Sequence, residues 1–401
     1  MKNLSLICTQ CEKQYPIRRS HPRCDACGEP LAVEMIRGRI NEGNSLTQTV
    51  FERYANFLPF ATEDSTVSLG EGFTPLMESH TIARALGIRR LLFKNETQNP
   101  TWSFKDRGTV VALRHAMILG YNRIGTVSSG NMAVSVAAYG ARAGLKTVTL
   151  VGGDIPSEKL NPIAVYNPVL IAVDGDYGDL YFRSLELGQQ HDIYFMNSDV
   201  PFRVEGSKTI AFELCEQLEF TCPDYVIVPT SSGGNIRGIL KGFEEFKLNG
   251  LIDTVPTMVC VQAQGCAPIH EAYRTGTGHV SRVPHPSTIA HAIENPFPPS
   301  GNEVLRKLRE HGGIVTAVSD EEIIRAQGEL AGEGIFGQPA SAVSLAALKK
   351  LLRDNVVQED ASVVCIVTGS GLKYTAAFEK HRFSVVHTVP GELDRLVATR
   401  F

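Results

Sequence analysis

The sequence lacks long apolar runs and an excess of positive charge. Among its 401 residues, 39 Lys and Arg stand against 43 Asp and Glu, which gives a formal net charge of −4. A chain without a basic excess is not expected to bind nucleic acid. No apolar stretch approaches the roughly 20 residues that a membrane helix needs, and the apolar patch near the N-terminus is too short for a signal peptide. We therefore expect a cytoplasmic protein that binds neither nucleic acid nor a membrane.

A disulfide framework is also not expected, because the nine cysteines are an odd number in a chain expected to be cytoplasmic. Four of them form two CxxC pairs, Cys8 with Cys11 and Cys24 with Cys27, separated by a short polar segment. Two such turns facing each other supply four thiolates for a structural zinc ion with no open coordination position. The metal would supply the folding energy that so short a segment lacks. A redox pair or a chance cluster is the alternative.

A connector follows the cysteine pairs. Apolar Val50, Phe51, Tyr54 and Phe57 recur there at helical spacing, which predicts a helix over residues 47–57. We expect this stripe to pack the end of the cysteine-rich segment onto the main body.

From about residue 66, short β-branched runs alternate with helical patterns, which predicts an open α/β protein with a largely parallel sheet. The runs expected to be strands are 123–127, 147–151, 225–228, 258–261 and 363–367. Ligands bind to such sheets at the carboxyl ends of the strands. Three polar, Gly-rich turns follow predicted strands, at 128–131, 231–235 and 368–371. A composite ligand site is therefore expected at this edge.

The segment NPTWSFKDRG (99–108) places Lys105 where an extended loop turns into a helix. The residue before proline avoids the helical region, Ser103 is expected to cap the helix, and Asp106 suits the positive end of the helix dipole. Lys105 gains nothing from that dipole. Its amine should lose its proton more easily than that of a free lysine, which suits Schiff-base chemistry. The alternative is a solvated surface lysine.

The three turns offer groups that bind ligands. In SSGGN (231–235), successive small residues expose backbone N–H groups at a helix start, which is typical of a phosphate-binding turn. A tight turn without a ligand is the alternative. The motif is neither GxxxxGK[ST] nor GxGxxG, so ATP and dinucleotides are disfavoured. Asn131 can cap its helix or bind the oxygen of a planar ligand, and the Thr368 hydroxyl can bond a ring nitrogen without carrying charge.

Together these segments resemble the fold-type II pyridoxal phosphate (PLP) enzymes, and among them the threonine synthase family, over about residues 66–375. The motifs that carry the resemblance are LGEGFTPL (69–76), NPTWSFKDRG (99–108), SSGN (128–131), NSDVPFRVEGSKTIAFE (197–213), SSGGN (231–235), TIAHAI (288–293), QPASA (338–342) and TGSGLK (368–373). The zinc-ribbon start is similar to that of some threonine synthases.

The resemblance implies a tryptophan synthase β-like fold with two open, mostly parallel α/β domains. The implied organisation is a zinc ribbon at 1–35, a connector with a helix at 36–65, a large PLP-binding domain at 66–106 and 198–401, and a small domain at 107–197. It also implies a homodimer and a small phosphorylated amino acid as substrate.

By the same resemblance, Lys105 would bind PLP covalently as a Schiff base, and Phe104 would lie against the cofactor ring. Asn131 would bond the 3′ oxygen, and Thr368 the pyridine nitrogen. The cofactor phosphate would be held by the turn residues Ser231, Ser232, Gly233, Gly234 and Asn235.

In threonine synthases, an asparagine, a serine and an arginine bind the leaving phosphate of the substrate. The matching residues in NSDVPFR are Asn197, Ser198 and Arg203, and an arginine fork suits a phosphate dianion. In the alternative interpretation, Arg203 pairs with Glu205 or Asp199 on a solvated face.

The implied reaction converts O-phosphohomoserine and water to threonine and phosphate. Lys105 would remove the Cα proton, and Ser128 and Ser129 are candidates for holding the substrate carboxylate. A dehydratase acting on free serine or threonine has no need of a phosphate-binding trio. A non-catalytic binding protein has no need of Lys105, Asn131 and Thr368.

Three residues depart from the threonine synthase pattern. Trp102 replaces the usual glycine, Met132 stands where a threonine is common, and Gln338 occupies a place usually held by glutamate. Trp102 and Met132 are expected to narrow the pocket or remove a hydroxyl from it. These departures keep the cysteate synthase family open as an alternative, in which sulfite replaces the phosphate of O-phosphoserine.

Overall fold

The computed structural model describes residues 4–42, 48–60, 66–153, 155–174, 177–375, 381 and 385–400. These residues form one small antiparallel sheet and two α/β sheets, of four and six strands. Within the described ranges, no helix has both the length and the apolar character that crossing a membrane requires.

The small sheet is built from the cysteine-rich N-terminal segment. Its strands are β1 (Ser5–Cys8), β2 (Gln14–Pro16) and β3 (Leu31–Val33), in the order β2-β1-β3, with antiparallel pairs throughout. Leu6 and Leu31 are fully buried in a cluster that also holds Val110 and Leu113 of the main body. The segment is therefore docked on the main body rather than suspended from it.

The four-stranded sheet is entirely parallel, in the order β8-β7-β6-β9. Its strands are β6 (Arg123–Val127), β7 (Lys146–Gly152), β8 (Val169–Val173) and β9 (Tyr194–Phe195). The helices that precede or connect them are α3 (Lys105–Ile118), α4 (Asn131–Arg142), α5 (Ser157–Ala164) and α6 (Tyr177–His191).

The six-stranded sheet has the order β12-β11-β10-β13-β5-β4, and only the edge pair of β4 with β5 is antiparallel among its described strands. Its strands are β4 (Leu76–Glu78), β5 (Arg90–Asn95), β10 (Tyr225–Pro229), β11 (Thr257–Ala263), β12 (Ile314–Val318) and β13 (Ser362–Val367). The accompanying helices are α2 (Thr81–Leu86), α7 (Pro201–Ser207), α8 (Thr209–Gln217), α9 (Gly234–Leu248), α10 (Pro268–Arg274), α11 (Gly301–Glu310), α12 (Asp320–Gly332), α13 (Pro339–Arg353) and α14 (Leu393–Arg400).

All five predicted strands are present, and each extends its predicted run by no more than two residues at either end. Both faces of the central strands are buried, as parallel sheets covered by helices require; the pattern of β13 is buried from its second residue onward. The prediction of a mostly parallel α/β fold is confirmed. The predicted domain boundaries, 66–106 with 198–401 and 107–197, stay a prediction.

The predicted helix at 47–57 is wrong in extent. A capping box between Thr49 and Glu52 starts the helix α1 (Val50–Arg53), Tyr54 ends it, and a 3₁₀ turn, Ala55–Phe57, follows; residue 47 lies outside the described residues. The apolar stripe is nevertheless buried as expected, and the Phe57 ring centroid lies 5.1 Å from that of Phe212. The connector therefore packs onto α8 through short turns.

A buried ion network fixes the start of α3. Arg107 is 1% exposed, and its Nε lies 2.6 Å from Glu96, directly after β5, while its Nη1 lies 2.5 Å from Glu213 in α8. Lys94 in β5 also reaches Glu213, at 2.7 Å. Burial alone lowers the pKa of an arginine, but the two carboxylates raise the pKa of Arg107 well above its usual value. The network ties together a strand end and two helices.

We expect Arg107→Leu to lower the free energy of unfolding by about 3–5 kcal/mol, because Glu96 and Glu213 would stay buried without their cation. The measurement is the urea midpoint with its slope. Arg183→Leu is the matched control, because Arg183 and Glu186 form an exposed pair that is worth at most about 1 kcal/mol. Equal losses in the two variants would contradict this account of the network.

Candidate active site

The carboxyl ends of strands from both α/β sheets border one cavity of about 350 Å³. The three turns singled out from the sequence all contribute to its wall: residues 128–131 follow β6, residues 231–235 follow β10, and Thr368 follows β13. The composite site that the turn positions predicted is therefore present.

Lys105 is the first residue of α3 and lines this cavity. The loop before it is shaped by Trp102, whose φ of 61° is left-handed, and by the Asp106 carboxylate, which accepts hydrogen bonds from the Thr101 N–H (2.7 Å) and hydroxyl (2.6 Å). The prediction that Ser103 caps the helix is wrong. Phe104 occupies the cap position, because the turn at Trp102 moves the helix start one residue along the chain.

The environment of Lys105 favours its neutral amine. Its Nζ lies 4.5 Å from the centroid of the Phe104 ring. Burial, and secondarily the positive charge of Arg203, lower the pKa of Lys105 to about 7. A large fraction of this amine is therefore unprotonated near neutral pH, which is the form needed for nucleophilic attack or proton abstraction.

The SSGGN turn is compact and exposes the N-terminus of α9. Gly233 has a φ of 96°, and a Cβ on Gly234 would lie 2.5 Å from the Ser198 carbonyl oxygen. The first N–H groups of a helix have no intrahelical acceptor. Asn235 is 7% exposed, and neither its amide nitrogen nor its amide oxygen has a partner among the described residues. Buried, unpaired polar atoms of this kind indicate a site for a polar ligand.

The other two turns meet near Phe104. The Asn131 amide donates to Gln338 Oε1 at 3.1 Å. The Thr368 hydroxyl lies 3.1 Å from the Ser341 hydroxyl, and the Phe104 N–H donates to the Thr368 carbonyl oxygen at 3.0 Å. Both residues therefore contribute polar side chains to the cavity that Phe104 also lines.

Arg203 and Ser198 also line the cavity. The Arg203 guanidinium is 4% exposed, and it donates to the Thr109 hydroxyl at 2.8 Å and to the Lys105 carbonyl oxygen at 3.2 Å. Burial lowers its pKa to about 9. A buried arginine held only by neutral oxygens among the described residues is a strong attractant for an anion.

The alternative pairing of Arg203 is wrong. Asp199 instead accepts from Arg23 at 2.9 Å, and Glu205 pairs with Lys208 at 2.5 Å.

Among the residues predicted to bind the cofactor or the substrate, Asn197 alone does not line the cavity. Its amide oxygen accepts from the Val127 N–H at 3.0 Å, and its amide nitrogen donates to the Ser184 hydroxyl at 2.9 Å. Both ends of the amide are therefore used to hold the end of β6 against α6. Its predicted role in phosphate binding stays a prediction, and the geometry gives it a positioning task.

Ser128 and Ser129 are at the cavity wall, as expected for residues that bind a small acid. The Ser128 hydroxyl accepts from the Gly130 N–H at 3.1 Å, and the Ser129 hydroxyl accepts from the Gly152 N–H at 3.2 Å. Each hydroxyl keeps its own hydrogen for a ligand.

The three departures from the family pattern differ in position. Trp102 is 52% exposed and lies outside the cavity lining, so the expectation that it narrows the pocket is wrong. The Trp102 backbone is left-handed, a conformation that glycine adopts without steric cost, and this explains why glycine is usual at this position in the family. Met132 and Gln338 do line the cavity, and Met132 is 4% exposed.

The cavity also contains charged residues that sequence reasoning missed. Lys373 Nζ donates to the Thr101 carbonyl oxygen at 2.5 Å, and burial lowers its pKa to about 8. Lys159 and Tyr374 meet at the cavity rim with 5.5 Å between Nζ and the ring centroid. Lys373 lies in the TGSGLK motif, so the sequence did indicate that it lies near the site. No local sequence pattern indicates Lys159.

The four N-terminal cysteines form the predicted cluster. The sulfurs of Cys8, Cys11, Cys24 and Cys27 all lie within 4.8 Å of one another, so they are positioned to bind a metal ion such as zinc. Burial raises the pKa of the Cys24 thiol, but hydrogen bonds from Tyr15 and the backbone of Ala26 lower it overall to about 6. Burial raises the pKa of the Cys8 and Cys27 thiols instead, so Cys24 is the thiol of the cluster that most readily becomes the thiolate that a metal needs.

Comparison with known proteins agrees with this geometry. A family model described as "Pyridoxal-phosphate dependent enzyme" matches residues 67–369. The chain belongs to this family of PLP-dependent enzymes.

The similarity extends to a particular group within the family. The threonine synthase of Methanocaldococcus jannaschii is 42% identical over 373 residues, which cover 91% of this chain and 92% of that protein. The threonine synthase of Methanosarcina acetivorans is 40% identical and covers 92% of each chain. These matches place the chain among the threonine synthases.

The fold recurs in a protein of lower sequence identity. A threonine deaminase from Solanum lycopersicum superposes with a TM-score of 0.65 at 20% identity, covering 86% of this chain and 96% of that chain. The predicted fold-type II architecture is therefore confirmed.

The residues of the cavity fit the cofactor that the family implies. PLP carries an aldehyde, a ring nitrogen and a phosphate. Lys105 offers a neutral amine, Thr368 a neutral hydroxyl, and the turn at 231–235 offers helix N–H groups and the unpaired Asn235 amide.

We expect PLP to bind the cofactor-free protein faster as the pH rises from about 6 to about 8, because the neutral Lys105 amine attacks the aldehyde and its pKa is about 7. The positive charge of Arg203 lowers the pKa of Lys105 in the unsubstituted chain. Arg203→Met removes this charge and should therefore move the midpoint to higher pH. Ser207→Ala removes a neutral group from the same cavity and should leave the midpoint unchanged. The measurement is stopped-flow absorbance of the bound cofactor across pH. A midpoint above pH 9 in the unsubstituted chain would contradict the proposed environment of Lys105.

Proposed function

We propose that the chain converts O-phosphohomoserine and water to threonine and phosphate, with PLP bound at Lys105. The observation that carries the proposal is the buried Arg203 guanidinium beside Ser198, tied to the Lys105 carbonyl oxygen at 3.2 Å. The side chain of free serine or threonine offers such a cation no anion once the carboxylate is held by Ser128 and Ser129, whereas a phosphate dianion accepts a charge-assisted fork of hydrogen bonds. The similarity to curated threonine synthases supports the same reaction.

When bound, PLP supplies the electron sink that stabilises negative charge at the substrate Cα. The Lys105 amine accepts the Cα proton, for which its pKa of about 7 is suited at neutral pH. Ser128 and Ser129 hold the substrate carboxylate. Arg203 and Ser198 hold the substrate phosphate, and Arg203 stabilises the charge that develops on it as it leaves.

The reaction balances without another reactant. One proton leaves Cα and one leaves Cβ, and the Cγ–O bond breaks with release of phosphate. A proton is then added at Cγ, water supplies the hydroxyl at Cβ, and a proton returns to Cα. Lys105 is the group placed to carry the Cα proton away and back.

A second candidate is the exchange of the phosphate of O-phosphoserine for sulfite. Met132 supports it, because this buried side chain takes space in the cavity where a threonine is common in threonine synthases. O-phosphoserine is shorter by one methylene, and one methylene in a pocket changes binding by about 1–3 kcal/mol.

We expect the PLP-loaded chain to release phosphate from O-phosphohomoserine with an equal amount of threonine. The assay compares this substrate with O-phosphoserine, with and without sulfite, and identifies the amino acid by chromatography. Turnover of O-phosphoserine alone, dependent on sulfite, would establish the second candidate instead.

In the same assay, Arg203→Met should lower kcat/KM about 10- to 100-fold, the loss expected for a hydrogen bond to a charged group. Ser207→Ala, the neutral control in the same cavity, should change it by less than about threefold. Unchanged kcat/KM in Arg203→Met would exclude a phosphate-binding role for this residue.

We further propose a homodimer that works in the cytoplasm. Val169 (56% exposed) and Ile171 (44% exposed) leave an apolar stripe on the edge strand β8, which supports contact with a second copy. The free cysteines support a reducing compartment.

Light scattering after size exclusion should give twice the chain mass, and Ile171→Glu should shift the measured mass toward that of a single chain. A monomer in the unsubstituted protein would exclude the dimer.

A further inference from the structure

Arg23 links the cysteine-rich segment to the main body. It directly precedes Cys24, and its backbone forms a β-bridge with Pro30. Its side chain is 11% exposed. Nη1 donates to the Gly28 carbonyl oxygen within the segment at 2.9 Å, and Nη2 donates out of the segment to Asp199 Oδ2 and to the Pro299 carbonyl oxygen, each at 2.9 Å. One side chain therefore contacts two segments that are far apart in the sequence.

The first of these segments borders the cavity on the substrate side. Asp199 lies between Ser198, which lines the cavity, and the start of α7, which carries Arg203. The Asp199 side chain is fully buried, and besides Arg23 it accepts a hydrogen bond from the Tyr181 hydroxyl at 2.6 Å. The positive charge of Arg23 therefore compensates a buried carboxylate next to the phosphate-binding side chains.

The second segment backs the SSGGN turn. Pro299 precedes Ser300, whose N–H donates to the Ser232 carbonyl oxygen at 3.1 Å. A Cβ placed on Gly233 would lie 3.0 Å from Ser300 Cβ, so this residue packs closely behind the turn. Movement of Pro299 would therefore be transmitted to the backbone N–H groups of the turn.

We propose that Arg23 is a positioning residue for the active site, and that the metal-binding segment thereby holds both phosphate-binding regions of the cavity in register. The inference rests on the proposed function for its substrate. The four cysteine sulfurs fix the backbone on the C-terminal side of Arg23 once a metal binds them. The guanidinium then fixes Ser198 through Asp199 and the 231–235 turn through Pro299. Loss of Arg23 should weaken the binding of both phosphate groups, that of the substrate and that of the cofactor.

A second arginine provides a matched control. Arg306 in α11 also joins the two parts of the chain, through hydrogen bonds to the Thr9 carbonyl oxygen and to Gln10. Neither Thr9 nor Gln10 borders the cavity. If both arginines only docked the cysteine-rich segment, replacing either one would have the same effect on the active site. A positioning role predicts such an effect for Arg23 alone of this pair.

The experiment compares Arg23→Met, Arg23→Lys and Arg306→Met as full-length protein. The readouts are the Kd of PLP from cofactor fluorescence, KM and kcat for O-phosphohomoserine, and zinc content by emission spectroscopy. Arg23→Met should raise the Kd of PLP and the KM each about tenfold, with kcat within about twofold and zinc retained. Arg23→Lys should recover part of both losses, and Arg306→Met should match the unsubstituted chain.

Equal losses in Arg306→Met, or a Kd of PLP and a KM within about twofold of the starting values in Arg23→Met, would overturn the proposal. If Arg23→Met is not recovered folded, Arg23→Lys decides by the same readouts. The Kd of PLP needs no turnover. If the protein makes no threonine, the proposed function is wrong, but the Kd of PLP still tests the positioning role of Arg23.

Discussion

The position of the reactive lysine depends on a fully buried arginine two residues further along the same helix. Arg107 binds Glu96 at the end of β5 and Glu213 in α8, and Glu213 also holds Lys94 in β5. In a medium of low polarity, each of these charges is costly unless all of its partners are in place. The first turn of α3 therefore has one favourable position relative to the six-stranded sheet. Because Lys105 lies in that turn, the charge network places it at the cavity without itself contacting a ligand.

The cavity follows the opposite electrostatic rule. Arg203 is held by a hydroxyl and a carbonyl oxygen, and Lys105 lies over an aromatic ring. Within the described part of the chain, neither forms the direct ion pair with a carboxylate that Arg107 forms. Burial lowers the pKa of both groups, and the positive charge of Arg203 lowers that of Lys105 further. This arrangement destabilises the ligand-free protein, and a bound phosphate would offset that loss of stability. The N-terminus of α9 and the unpaired Asn235 amide add to the same preference for anions. The site is thus organised for phosphate before any ligand arrives.

Much of this could be predicted from the sequence, because the strongest signals are local. The β-branched runs became strands, the turns after them met at one cavity, and the CxxC pairs met as four sulfurs. The failures have tertiary causes. Ser103 has the right residue type for a cap, but the left-handed turn at Trp102 moves the helix start past it. The contacts of Asn197 are also tertiary: its amide holds the end of β6, and its predicted role in phosphate binding stays a prediction. The pairing of Arg23 with Asp199 spans 176 positions, and no local pattern could indicate it.

The choice between two phosphorylated amino acids that differ by one methylene is a question of distance more than of pocket volume. A pocket wall such as Met132 can yield by a rotamer change, because methionine is flexible, and a methylene is worth only about 1–3 kcal/mol. Arg203, in contrast, donates to the backbone carbonyl of Lys105 itself. In the proposed reaction, the cation that binds the substrate phosphate is therefore tied to the backbone of the residue that acts at Cα. A substrate of the wrong length would displace a charge-assisted hydrogen bond worth about 1.5–3 kcal/mol, a loss that adds to that of an unfilled methylene. The hydrogen bond from the Arg203 guanidinium to the Lys105 carbonyl oxygen is thus the contact that, in the proposed reaction, relates the position of the substrate phosphate to the residue at Cα.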